Sequence, residues 1–365
     1  MKFSFLLFSI LLISVYAIGQ RREKLKKNKF NSEKFKLYDV EVKKKWFDSI
    51  RIKFTDNVTF IDGRADKSKL GFIRAGEANQ FFNIGFSEDA SPYINSRTNG
   101  IIKLSPGNGN KMLIVIRHFW LSQLIVKAGV LKSILLGPKG FLSYCYFSGD
   151  YYIEKGGEMQ YAGKMDSVFN LNRWMGHSTS DLVKDALQSA IEVGDSLASK
   201  SLLAQRITNK ELLDSLEGQF NYPILKTNEP KPGVYLSYYD FLNNTPLEVE
   251  FELKTYKGDE YLLCKNTDTS ITNKAWGYCD EEGIFKHIND EYYKMTRVQN
   301  TFELAGPRQI KKIYSKNGEF FGVAVNSFLR GIIGGGTTIF LIFSDKSIMN
   351  ELIPYQLNIQ KGTFY

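Results

Sequence analysis

Two aspartates flank an arginine at alternate positions in Asp62-Gly63-Arg64-Ala65-Asp66, directly after the period-two apolar residues Val58 and Phe60. If a strand runs through all of them, Asp62, Arg64 and Asp66 share one face. Two carboxylates on one face can bind a cation or divide acid and base roles between them. Arg64, lying between them, is also their natural bidentate partner, which would make the cluster a structural ion network. Asp62, Arg64 and Asp66 are therefore the binding candidates, and a hydrolase using the Asp62/Asp66 pair is the alternative. Glu248, Glu250 and Glu252 alternate in the same way and read as the solvated face of a half-buried strand.

Other chemistry is thinly represented. His118, His177 and His287 never stand three or four residues apart, so no helical metal pair arises. His177-Ser178 near Asp181 reads as the start of a helix, because triad members normally converge from distant segments. Gly331-Ile332-Ile333-Gly334-Gly335-Gly336-Thr337-Thr338 has threonine where a phosphate loop needs lysine. No Gly-x-Ser-x-Gly elbow occurs. We assign no catalytic residue, metal or cofactor. The cysteines are Cys145, Cys264 and Cys279, too few for a disulfide framework. A hairpin centred near Ile271 would bring Cys264 and Cys279 face to face as a disulfide; otherwise both are buried thiols.

The elements that must hold these residues belong to a folded chain of 365 residues, 43% hydrophobic and 14% aromatic. At about 150 residues per domain, two domains are expected. The net charge of +9 is unevenly spread. Residues 1–50 hold 12 Lys/Arg against 5 Asp/Glu, which leaves 36 against 34 for the rest. A nearly neutral body argues against nucleic acid as a partner. The excess, Arg21 to Lys45, is a basic segment that is either solvated or in contact with anionic lipid through residues 21–45. Ahead of it, Lys2 and the uncharged run Phe3 to Ile18 end in Ala17-Ile18-Gly19. That is the pattern of a secretory signal peptide cut before Gln20, or before Ile18. A membrane anchor formed by residues 3–18 is the alternative, although the run is short of the ~20 residues that span a bilayer.

Further along, Ile50 to Ile61, Leu70 to Ile73, Met112 to Phe119, Phe141 to Phe147, Tyr151 to Glu154 and Glu158 to Phe169 read as strands. Ser87 to Ser96 reads as loop because of Pro92. A helix over Ser180–Leu203 carries the stripe Leu182, Val183, Ala186, Leu187, Ala190 and Ile191, with Gly194 as a possible break. Thr208-Asn209-Lys210-Glu211 is a capping box that opens a second helix. Pro223, Pro230 and Pro232 mark a linker at 221–233, and short strands at roughly ten-residue spacing follow it. The expected fold class is α+β: signal peptide 1–19, basic segment 20–45, a mixed α/β domain 46–217 ending in a helix pair, linker 221–233 and an antiparallel β-rich domain 234–365.

Val58-Thr59-Phe60-Ile61-Asp62-Gly63-Arg64-Ala65-Asp66 with Leu70-Gly71 and the Ser180–Leu203 helix resembles periplasmic accessory domains of the TolB amino-terminal type. Pro232-Gly233-Val234-Tyr235, Tyr239 to Pro246 and Trp276-Gly277-Tyr278-Cys279-Asp280 are similar to uncharacterised secreted proteins of Gram-negative bacteria of the Bacteroidetes type. Both resemblances imply a non-enzymatic envelope protein, periplasmic or secreted, with an envelope protein or glycan as its partner.

Overall fold

A computed structural model describes residues 35–75, 80–99, 103–104, 110–127, 139–172, 179–199, 206–256, 259–265, 275–288, 291–307, 310–314, 320–325 and 352–364. The signal-peptide run, the basic residues before Phe35 and the Gly331–Thr338 stretch lie outside the described residues. The chain divides into two compact units after Phe220: Ser32–Phe220 and Asn221–Tyr365. The class is α+β.

The first unit contains strands β1 (Leu37–Asp39), β2 (Arg51–Ile52), β3 (Asn57–Asp62), β4 (Gly71–Ala75), β5 (Gln80–Gly85), β6 (Lys103–Leu104), β7 (Lys111–Lys127), β8 (Lys139–Lys155), β9 (Glu158–Asn172) and β10 (Arg206–Ile207). Its helices are α1 (Ala90–Thr98), α2 (Thr179–Ala198) and α3 (Asn209–Gly218). The main sheet runs β1-β5-β4-β7-β8-β9-β10, and β3 also pairs with β7. The long strands β7, β8 and β9 form an antiparallel meander. β3 lies parallel to the first part of β7, from Asn57↔Lys111 to Asp62↔Ile116. Further along the same edge, β4 meets β7 at Gly71↔Leu121.

The apolar stripe of α2 covers one face of this sheet. Leu182, Val183, Ala186, Leu187, Ala190 and Ile191 pack with Met112, Ile114, Tyr151 and Ile153, as their helical and strand periods require. α3 serves the opposite face, where Leu212 packs with Val115, Tyr152 and Met159. Its start is the expected capping box, with Thr208 and Glu211 exchanging side-chain and backbone hydrogen bonds. Among the described residues, α1 covers the edge of β3 away from β7. The Asn95 amide accepts from Phe60 N at 2.8 Å and donates to Phe60 O at 3.0 Å, satisfying the β3 backbone there.

Several expectations are corrected. Pro92 does not prevent a helix over 87–96, because it stands in the first turn of α1, where backbone N–H groups have no helical acceptor anyway. Ser148-Gly149-Asp150 does not separate two strands; β8 runs straight through it, opposite a bulge between Ile116 and His118. The basic segment ends sooner than residue 45, since β1 and the buried residues Val40 and Val42 already belong to the first unit. The 221–233 linker is in part ordered structure of the second unit. It contains the helical turn α4 (Pro223–Lys226), with Ile224 and Leu225 buried. Arg297 donates to the carbonyls of Leu225 and Thr227, fastening that turn.

The second unit continues with β11 (Gly233–Tyr235), α5 (Tyr238–Asn243), β12 (Phe251–Tyr256), β13 (Asp259–Cys264), β14 (Gly277–Asp280), β15 (Gly283–Ile288), β16 (Glu291–Val298), β17 (Thr301–Pro307), β18 (Ile310–Tyr314), β19 (Phe320–Val325), β20 (Leu352–Asn358) and β21 (Thr363–Phe364). Its main sheet is antiparallel throughout, in the order β11-β14-β15-β16-β17-β20-β21. The β12–β13 ribbon packs Leu262 and Cys264 with Val234, Tyr278, Phe285 and Tyr292 of that sheet.

Candidate functional site

β3 stops at Asp62, so Asp62, Arg64 and Asp66 do not alternate along one strand. From Gly63 to Leu70 the chain crosses between the two strands that share the edge of β7, and the turn is built on side-chain oxygens. Asp62 accepts from Arg64 N (3.1 Å), Arg64 Nε (2.8 Å) and Arg64 Nη2 (2.7 Å), a bidentate pair closed on itself. The Asp62 N–H donates to Ser91 Oγ in the first turn of α1. Arg64 Nη1 donates onward to Lys69 O at 2.7 Å. Asp66 belongs to a separate group. Its Oδ1 accepts from Ser68 N at 2.9 Å and from Ser68 Oγ, and its Oδ2 lies 3.8 Å from Lys69 Nζ. Lys69 Nζ also stands 5.1 Å from the centre of the Phe72 ring. The expected single cluster is therefore two ion pairs with four buried side chains, 5% and 7% exposed for Arg64 and Asp62, 3% and 0% for Lys69 and Asp66. The alternation was real, but a strand needs ladder partners, and here the chain leaves β7 to reach β4.

The loop is tied to a second polar group that sequence reading missed. Gly63 N donates to Ile116 O at 3.0 Å, and Gly63 O accepts from Gln219 Nε2 at 2.8 Å. Gln219 Oε1 in turn accepts from Arg117, whose Nε donates to Asp150 Oδ2 at 2.6 Å. Arg117 is the extra residue of the β7 bulge, set between Ile116↔Gly149 and His118↔Ser148, and bulges commonly re-aim a side chain. Tyr152 and Tyr161 stand beside this pair, with ring centres 5.5 Å apart. Burial, then the Asp150 charge, pushes the Tyr152 phenol above its usual range, and Arg117 opposes the shift. Further along the same sheet face, His118 leans on Tyr146 with ring centres 5.7 Å apart, and Tyr146 donates its hydroxyl to Asp166. Arg117 and Asp150 keep 17% and 22% side-chain exposure, so they are the reachable polar pair of this network. Turn-forming Ser148-Gly149-Asp150 inside an apolar run was the available signal for the bulge.

The residues of the second resemblance have structural employment. Gly233 adopts φ +137°, and a Cβ there would lie 2.6 Å from Leu247 O. Asn244 ends α5 in the left-handed region and accepts from Lys231 N and from the Tyr235 hydroxyl, both at 3.0 Å. Phe241 stacks on Trp276 at 4.4 Å, with Tyr235 and Phe302 edge-on to Phe241. Lys286 lies over Trp276 at 4.5 Å and donates to Trp276 O at 2.9 Å. Burial pulls its amine down to about 8. Cys264 and Cys279 do not form the disulfide. They are thiols in different sheets, Cys264 in the β12–β13 ribbon and Cys279 in β14.

Among the described residues no group of three or more His, Cys, Asp or Glu could hold a metal ion, and no helix is long and apolar enough to cross a membrane. No protein-family model and no curated protein matches the chain. Among the solved structures similar to part of it are two of uncharacterised proteins. One is titled only as such and matches with a TM-score of 0.22 and 10% identity, covering 45% of this chain and 96% of its own. The other is a Xanthomonas campestris protein described as DUF330, with a TM-score of 0.22 and 11% identity, covering 44% of this chain and 91% of its own. Neither description connects to TolB or to the Bacteroidetes, and a TM-score this low carries no functional information.

Proposed function

We propose that the chain is an exported, non-catalytic protein of the cell envelope with a binding or accessory role. The observation that carries the non-catalytic reading is the fate of the Asp62/Asp66 carboxylate pair. Asp62 is held by Arg64, and Asp66 by Ser68 and Lys69, all four charged side chains being buried. A hydrolase needs one carboxyl group poised to give a proton and another free to act on water or substrate. Two separately neutralised pairs that anchor a strand crossing are suited to holding shape. The export reading rests on Phe3 to Ile18 and the small residues Ala17 and Gly19. Its partner is an envelope protein or glycan, met through surfaces such as the Arg117–Asp150 pair. Fractionation of the native cell with intact-mass measurement of the purified chain tests export: the mature protein should begin at Gln20 or Ile18, outside the cytoplasm. A mass that retains residues 1–17 would instead support anchoring by residues 3–18. A pull-down from the same fraction identifies the partner.

A further inference from the structure

Lys286 differs from the ion-paired lysines of the chain. Lys111, Lys254 and Lys265 are exposed, and each is paired with a glutamate: Glu154, Glu252 and Glu250 respectively. Lys69 is buried but has Asp66 at 3.8 Å. Lys286 is half-buried on β15, and its rung neighbours are Gly277 on β14 and the buried Tyr293 on β16. No carboxylate therefore meets it across the sheet. Glu291, two residues from Tyr293, accepts the Tyr293 hydroxyl, and His287, next along β15, leans on Tyr292. The Lys286 amine lies 4.5 Å from the centre of the Trp276 ring and donates to Trp276 O at 2.9 Å. Phe241 stacks on that ring at 4.4 Å and Tyr238 tilts against it at 5.5 Å, so the platform under the amine is fixed. Burial acts on this amine with no counter-charge to offset it. Lost hydration then favours the neutral form, which is the nucleophilic one.

We propose that Lys286 is an acylation site, the amine of this chain that takes an activated acyl group from an acyl phosphate or a thioester. The Nζ lone pair attacks the carbonyl carbon and the C–N bond forms. The bond from that carbon to its leaving group breaks, phosphate or thiolate departs with the electron pair, and the surplus proton of the amine passes to water. The surroundings favour an acyl adduct over the other common products. A neutral imine keeps no N–H for Trp276 O, and an alkylated amine keeps its charge where hydration is poor. An amide loses the charge and retains one N–H for the Trp276 carbonyl. The inference goes beyond the binding role, and it stands or falls on the purified chain wherever the cell places it.

The test incubates the folded full chain with acetyl phosphate, and in a second arm with acetyl-coenzyme A, at about pH 7.5. Peptide mass spectrometry follows each lysine with time. An amine pulled down to about 8 is roughly two hundredfold richer in its neutral form at that pH than an ordinary lysine near 10.4. Its weaker basicity takes back about tenfold of this. Lys286 should thus be acetylated on the order of tenfold faster than Lys111, Lys254 and Lys265. Its rate should level off above about pH 8, while theirs goes on climbing towards about pH 10. In guanidinium chloride the preference should vanish. Selective acetylation in either arm supports the proposal and names the class of donor. Lys286 reacting no faster than the three exposed lysines in both arms overturns it. So does a Lys286 rate that climbs past pH 8 as theirs do, or a preference that survives unfolding.

Discussion

Arg64 holds one aspartate, and this decides what its removal does. Arg64→Ala leaves Asp62 buried without its cation, which should cost about 3–5 kcal/mol. In double-mutant cycles read by chemical denaturation, Arg64→Ala should couple strongly to Asp62→Ala and weakly to Asp66→Ala. Equal coupling to both would restore the single three-residue cluster expected from the sequence. A second residue-scale consequence concerns pH. With the Lys286 amine at about 8 in the folded chain, the unfolded chain holds more protons above that pH, so stability rises with pH there. Burial pushes Cys279 up to about 11 and raises Tyr278 and Tyr292. Those groups keep protons that the unfolded chain has lost, so they pull stability down once pH passes the ordinary thiol value of 9.0. The second unit should therefore be most stable near pH 9. Lys286→Met should abolish the gain of about 1 kcal/mol between pH 8 and 9 in denaturation measured at each pH.

At the scale of elements, Gly194 separates what sequence shows from what packing decides. Helix propensity makes it a weak point, yet α2 runs unbroken through it from Thr179 to Ala198. A Cβ at Gly194 would stand 2.1 Å from Met112 Sδ and 2.9 Å from the Tyr151 ring. Gly194→Ala should thus destabilise by about 1–3 kcal/mol, despite the better propensity of alanine; a stabilised variant would mean the helix can ride away from the sheet. The stripe of α2, the capping box of α3 and most strands of the second unit were legible because their signals are local periodicities and caps. The helical start at Pro92, the continuity of β8 and the two-way split of the Asp62–Asp66 cluster were not, since each depends on which distant strand arrives alongside. The Arg117–Asp150–Gln219 network spans residues more than 100 apart in sequence, and only the sheet brings them together.

At the scale of the whole chain, the division after Phe220 predicts two melting events in calorimetry. Gly194→Ala should lower one, and Lys286→Met should alter the pH response of the other. A single transition moved by both substitutions would mean one cooperative body. The buried sulfurs give this division a further use. Cys145 lies in the first unit, Cys264 and Cys279 in the second, and all three are buried. Burial, helped by the Asp185 charge, keeps the Cys145 thiol protonated, and Cys279 is likewise held above the ordinary thiol range. A thiol-reactive dye modifies the thiolate, so it must wait for the surrounding strands to part. The time course of labelling at Cys145 then clocks the opening of one half of the molecule, and that at Cys264 and Cys279 the opening of the other, with no engineered reporter in either.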